Sequence, residues 1–313
     1  MSKKSYTKPA LLYTEQIIKL KSRGLIINNT PKALHLLQHL SYYRLSGYWY
    51  TLLDHPKKNH RFKIDATFDQ AFDLYCFDRE LRQLILNQIE KIEVSVRATI
   101  AYECSHSWGA FWLSDKNNFK NDSEHKNTIL KISKEIDRSK ELFLQEYDKK
   151  YLEKLPPSWI TLEVCSIGSL SWVYRIIKPG KTKREISRKY GLNEKVFETW
   201  LHSLVYIRNI CAHHSRLWNK KLAIKPEIPK NFKGNWIVNT EITDSRNHSK
   251  NSIKNKTYFT ICIVQYLLNI INPKNNFKEN LDELFDKYPN IDLKAMDYTS
   301  NWREETLWSQ KKR

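Results

Sequence analysis

The run Tyr206-Ile207-Arg208-Asn209-Ile210-Cys211-Ala212-His213-His214-Ser215-Arg216 gathers two arginines, an asparagine, two histidines and a serine at the end of an otherwise apolar stretch. Arginine presents a fixed fork of donors to a phosphate, and histidine is the side chain whose ordinary pKa permits proton transfer near neutrality. Together they suffice to cleave RNA without a metal. A base takes the 2′-OH proton, a cation steadies the crowded phosphorane, and an acid protonates the departing 5′-oxygen. Such a reaction leaves a 2′,3′-cyclic phosphate and cannot cut DNA. The alternative is structural: cationic residues favour the negative end of a helix dipole, and a histidine can cap the last carbonyls.

Spacing constrains how these residues can cooperate. Asn209 and His213, four apart, share a helix face, whereas Arg208 and His213, five apart, point about 140° away from each other on a straight helix. They converge only if the helix bends or ends near Cys211, or if two copies of the segment face each other across a homodimer. Around this core of Arg208, Asn209 and His213 lie supporting candidates. His214 could serve as an acid, a phosphate contact or a cap, and Arg216 as a phosphate clamp. Glu93 and Arg97 are four apart at the flank of an apolar stripe, which fits either an exposed-face ion pair or a pair that orients the motif from a neighbouring groove. Arg44, with Tyr43, could contact RNA, or that aromatic segment could simply pack.

The elements that must position these groups are helical. Apolar residues at helical spacing predict a first helix over Ala10 to Ser22, a second from Thr30 as N-cap to about Gly47, and a long one from Thr67 to about Ser105 with a stripe of Leu74, Leu81, Ile85, Ile89, Ile92 and Val96. A polar connection over Asn117 to Lys126 precedes an amphipathic helix from Thr128 to Tyr147. Further helices are expected at Trp159 to Ile177, Lys181 to Tyr190, Glu194 to Cys211 behind an Asn193 cap, Tyr258 to Ile271 as a central buried helix, and Phe277 to Tyr288. No strong strand alternation is visible. Only 7 glycines and 10 prolines occur in 313 residues, too few for a turn-rich β architecture, and no phosphate loop can be built from them.

Charge points the same way as the motif. The chain carries 53 Lys and Arg against 34 Asp and Glu, a net of +19, which suits a partner rich in phosphate. Part of that excess accompanies a general richness in lysine and asparagine. The stretch from Arg216 to Lys256 holds ten basic and three acidic residues interleaved with Trp218, Phe232 and Trp236. Aromatic faces among cations suit unstacked bases, and a solvated loop would have the same composition. The five cysteines are scattered without metal or redox spacing, the N-terminus has no apolar export segment, and no run is long enough to span a membrane. A cytoplasmic protein without membrane association is expected.

Four blocks carry a resemblance: YYRLSGYWY over 42 to 50, FDRELRQLILNQIEKIEVSVRATIAY from Phe77 to Tyr102, PPSWITLEVCSIGSLSWVY from Pro156 to Tyr174, and RNICAHHSRLWN from Arg208. Together they resemble the Abi family of bacterial abortive-infection proteins, of the AbiD and AbiF type, over about Thr30 to Trp308. That family is similar to the HEPN superfamily of helical RNA-binding and RNA-cleaving domains, whose signature of Arg, a polar residue, a spacer and His is matched by Arg208, Asn209 and His213. The resemblance implies an all-α, HEPN-like multi-helix bundle with an N-terminal helical extension. It further implies metal-independent RNA cleavage at a composite site made by two motifs in a homodimer, and a toxin role in phage defence restrained by a small RNA antitoxin. No cofactor and no metal is called for. The expected organisation is a helical region over 1–60 in possible contact with RNA, a helical core over 61–272 that includes the basic loop at 216–256, and a C-terminal helix and tail over 273–313 packed on the core. Other classes fit the same residues: a non-catalytic RNA binder using this basic site, a metal nuclease built on Glu90 and Glu93, or a structural interaction protein.

Overall fold

The computed structural model describes residues 5–229, 235–238, 240–243 and 250–309. The chain divides into two compact units, one of residues 1–81 with 284–291, the other of residues 82–283 with 292–313. The fold is all-α. Its helices are α1 (Tyr13–Ser22), α2 (Thr30–Leu40), α3 (Tyr42–Trp49), α4 (Phe68–Trp108), α5 (Asp122–Arg138), α6 (Leu142–Lys150), α7 (Ser158–Thr161), α8 (Ile167–Ile176), α9 (Lys181–Arg188), α10 (Glu194–Ala212), α11 (Thr257–Ile271) and α12 (Phe277–Lys287). A hairpin of three-residue strands, β1 (Glu241–Thr243) and β2 (Lys250–Ser252), pairs antiparallel and is the one sheet among the described residues. None of the described helices is long and apolar enough to cross a membrane.

The first unit contains α1 to α3, the opening turns of α4 and the final turn of α12. Asn29, not Thr30, caps α2, its Oδ1 accepting from Lys32 N at 2.9 Å. The single helix expected to reach Gly47 is two: the chain breaks at Ser41, which takes φ 65°, and the Ser41 hydroxyl accepts from Arg44 N to start α3. A serine offers the backbone an acceptor that competes with helix continuation, and here it wins. Leu37, Leu45, Tyr48 and Phe77 are buried in this unit, and the Tyr48 hydroxyl donates to Asp78 Oδ2 at 2.8 Å.

The second unit holds the motif. α4, which starts in the first unit with a capping box of reciprocal Thr67–Gln70 bonds of 3.1 and 2.9 Å, continues into this unit. The stripe Ile85, Ile89, Ile92, Val96, Ile100 and Cys104 then runs buried down the helix, as its spacing predicts. α8 packs on both α5 and α10, and α9 and α11 also pack on α10. Twelve successive residues of α11, Thr257 to Leu268, are buried, which explains why it shows no polar face in the sequence.

Two expected helices are interrupted. Asn121 caps α5 through Oδ1 bonds to Ser123 N and Glu124 N, so the helix begins inside the segment read as a polar connection, and the chain turns at Ser139 before α6. The helix expected from Trp159 to Ile177 is α7, a short 3-10 turn over Leu162–Val164, and then α8, capped by Ser166. The segment after α10 also differs from expectation. Trp218 and Trp236 are 5% and 7% exposed, and Trp236 stacks on Trp200 with ring centroids 5.0 Å apart. These indoles belong to the core and offer no face to bases, because a buried tryptophan removes more apolar surface from water than any other side chain. Phe232, Lys230, Lys233 and Arg246 of that basic stretch lie outside the described residues.

Candidate functional site

Arg208 stands on the last turn but one of α10, half-buried, and lines two cavities of the second unit. α10 reaches this position by ordinary helical chemistry. Asn193 Oδ1 accepts from Val196 N at 2.9 Å to start the helix, and Val196, Trp200, Leu204, Ile207 and Cys211 bury one side of it. The polar side carries Lys195, Glu198, His202, Asn209 and His213, at steps of three, four or seven that keep them in one row.

The helix closes on its own backbone. His213 N donates to Asn209 O at 3.0 Å, His214 N to Cys211 O at 3.1 Å, and Ser215 N to Ile210 O at 2.9 Å, with His214 in the left-handed region at φ 56°. This is a Schellman motif whose C′ position, usually glycine, is a histidine. The last carbonyls are therefore satisfied by main-chain amides, and the His213 side chain is not needed as a cap. Its imidazole is exposed and makes no hydrogen bond or ion pair among the described residues. His213 lines neither cavity, whereas Asn209 lines the first with Arg208, and the Arg208 Nη1 to Asn209 Oδ1 distance is 3.5 Å. One chain thus brings Arg208 and Asn209 together and leaves His213 beyond them at the helix end.

Glu93 and Arg97 reach the motif from α4. Arg97 Nη2 donates to Glu93 Oε1 at 3.0 Å and to Cys165 O at 3.1 Å, while its Nε donates to Leu162 O at 2.9 Å. Leu162 O also accepts from Cys165 N at 3.1 Å, whereas Cys165 O is the carbonyl left without a main-chain partner where the chain breaks before α8. Glu93 in turn is stabilised by the nearby amide of Ile167, the first residue of α8, and is drawn electrostatically to both Arg97 and Arg208. Burial raises the Glu93 pKa above its ordinary value, and the two arginines and the Ile167 amide offset this only in part. The pair is therefore not a surface i,i+4 bridge. It fixes where α8 starts and places a carboxylate beside Arg208.

The first cavity, about 580 Å³, opens between α8 and α10 and is bordered by α5. Its wall holds Lys131, Arg175, Lys195, Arg208 and His202 against one acid, Glu198. Glu198 is already engaged, with Lys183 Nζ at 3.3 Å and Lys120 Nζ at 4.0 Å. Burial, reinforced by Lys120, pushes the Lys183 ammonium down to about 8 despite Glu198. The second cavity, about 420 Å³, runs along α4 past Gln83, Asn87, Glu90 and Glu93. Among the described residues no group of three or more His, Cys, Asp or Glu side chains is arranged to hold a metal ion. All five cysteines are free, four of them buried.

The supporting candidates divide. His214 and Arg216 follow the motif directly, both with interactions of their own. Arg44 is exposed on α3 of the first unit, next to Tyr43, which is 88% exposed, while Tyr48 and Trp49 of the same segment pack in the core. The basic cavity residues Lys131, Arg175 and Lys195, with His202, were not legible as a group. They come from three helices, and only the α10 row, His202 to Asn209 to His213, left a trace in the spacing.

Residues 35–219, more than half of the chain, match the family model described as Abi-like protein. No curated protein and no solved structure matches the chain.

Proposed function

We propose, starting from the fact that this chain belongs to the Abi-like protein family, that it is a metal-independent endoribonuclease. Family membership points to abortive infection, a bacterial defence against phage, and a toxin that cuts RNA fits that setting. The observation that carries the reading is Arg208: a half-buried guanidinium at the mouth of a cationic cavity, beside Asn209, with an unpartnered and exposed imidazole at His213 one turn further along the same helix.

In the proposed reaction a basic imidazole at His213 takes the proton from a ribose 2′-OH. The 2′-oxygen attacks the adjacent phosphorus, and the bond from phosphorus to the 5′-oxygen breaks as that oxygen is protonated. The products are a 2′,3′-cyclic phosphate and a 5′-OH end. Arg208 neutralises the charge that gathers on the non-bridging oxygens, Asn209 orients its guanidinium, and Glu93 attracts it electrostatically. Because Arg208 lines both cavities and His213 neither, the complete centre is assigned to a homodimer in which the motif of one copy faces that of the other. In the cell a small RNA antitoxin would occupy the same basic surface and hold the toxin in check.

The test is direct. Purified protein incubated with cellular RNA, with and without EDTA, should yield new 5′-OH ends that survive chelation, and His213→Ala should lower the rate by about 10²–10⁴-fold. Cleavage that persists in His213→Ala, or that EDTA abolishes, removes the assignment. A second reading, an RNA-binding protein that does not cut, is favoured by the separation of His213 from both cavities. It predicts RNA retention by wild type without new ends.

A further inference from the structure

The 580 Å³ cavity has a wall that cleavage chemistry alone does not require. Lys131 and Lys195 are exposed there and form no ion pair among the described residues, so their charge is available to a ligand. The single acid, Glu198, is held by Lys183 and Lys120 and does not neutralise them. Lys183 also donates to Arg175 O at 2.9 Å, which secures the end of α8. On that helix Trp172 is 36% exposed, and the Arg175 guanidinium lies over its ring at 4.6 Å from the centroid. A large aromatic left at the edge of a concave, cation-lined site offers a stacking platform of the kind that unpaired bases use. The volume falls within the range of pockets that hold small molecules. Finally, Arg208 and Asn209 belong to the same wall, so the cavity is continuous with the proposed reacting centre.

We infer that this cavity is a nucleotide subsite for single-stranded RNA, in which Lys131, Lys195 and His202 hold the phosphate of a residue flanking the cleaved bond and the Trp172–Arg175 stack receives its base. The assignment rests on the RNA-cleavage reading for the identity of the ligand, and it is tested separately from that reading. The subsite orients the strand along the polar row of α10, so that the phosphate to be cut lies at Arg208 and the chain continues toward His213. These residues are positioning and affinity groups and are not themselves part of the proton transfers.

The experiment measures binding of a fluorescent RNA oligonucleotide carrying 2′-O-methyl groups, which lacks the attacking hydroxyl and cannot be cut. The wild type is compared with Lys131→Gln/Lys195→Gln, with Trp172→Ala, and with a control, Lys149→Gln/Lys150→Gln, that removes the same charge from the exposed face of α6. All substitutions are at exposed positions, and melting curves establish that each variant is folded. Loss of the lysine contacts to that phosphate should make the slope of log affinity against log salt shallower by about 0.7, and loss of the stacking face should weaken binding by about tenfold. The control should bind as wild type. Adenosine monophosphate should compete more strongly than inorganic phosphate. Cavity variants that bind as wild type, a control that loses as much as they do, or equal competition by phosphate and nucleotide would each overturn the subsite. The two readings fail differently. If RNA is cut in a His213-dependent manner while the cavity variants keep the wild-type KM, the subsite falls and the nuclease stands; if the variants lose affinity and no 5′-OH ends appear, the nuclease falls and the subsite stands.

Discussion

Glu93 shows how one residue couples stability to the site. Its carboxylate is largely buried between Arg97 and Arg208, and burial outweighs the attraction of the two cations, so its folded pKa lies above the ordinary 4.5. The folded state therefore holds the proton more tightly than the unfolded state. Below the unfolded value the group is neutral in both states and costs nothing. As pH rises through the unfolded and then the folded pKa, the folded protein comes to carry a poorly solvated charge and stability falls. Glu93→Gln should remove this slope: between about pH 4 and pH 7 the melting temperature of the variant should rise relative to wild type. A constant difference across that range would mean that Glu93 is solvated. At the same scale, the arginine, asparagine and histidine of the motif were legible because polar groups at the end of an apolar helix are unusual. The accessibility of the His213 ring was not, since it depends on main-chain amides closing the helix in its place.

Among the elements, the break before α8 sets the site. The carbonyl of Cys165 leaves the helical pattern and is taken up by Arg97, a residue more than sixty positions earlier on α4, which also adds a second bond to Leu162 O. Arg97→Met should strand the Cys165 carbonyl and leave the buried Glu93 carboxylate with only part of its compensation, at a cost of about 2–3 kcal/mol in unfolding experiments. The double variant with Glu93→Gln should recover part of that loss, because the uncompensated charge is gone. Additive losses would show that the pair acts independently. α4 and α10 could be drawn from sequence because an unbroken stripe and an asparagine or threonine cap are local signals. The interruption before α8 could not, because the group that takes up its freed carbonyl comes from the distant Arg97, and the breaks at Ser41 and Ser139 turn on serine bonds that compete only narrowly with helix continuation.

For the whole molecule the decisive quantity is the net charge of +19. Self-repulsion among so many cations destabilises the compact state, and added salt screens it. Raising the ionic strength from very low values to about 0.15 M should therefore raise the melting temperature, while the affinity for RNA falls over the same range. Melting that is insensitive to salt would mean that the charges are already paired or far apart. The composition also limited what could be foreseen. Lysine-rich stretches look alike whether they border a cavity or face bulk water, and the stretch after α10, which combines charge with tryptophan, uses its described tryptophans to fill the core.

The amino-acid sequence by itself determined the all-α class, the course of α4 and α10, and the identity of the polar groups at Arg208, Asn209 and His213. Each follows from spacing and capping, which act within a few residues. Tertiary structure alone decided that Glu93 is buried beside Arg208, that Arg97 holds the start of α8, that Trp218 and Trp236 are core, and that lysines from α5 and α10 share a cavity with Arg175 and Trp172 of α8. These outcomes depend on which groups meet after the chain packs. Burial and electrostatic attraction between residues far apart in the chain leave no period in the sequence.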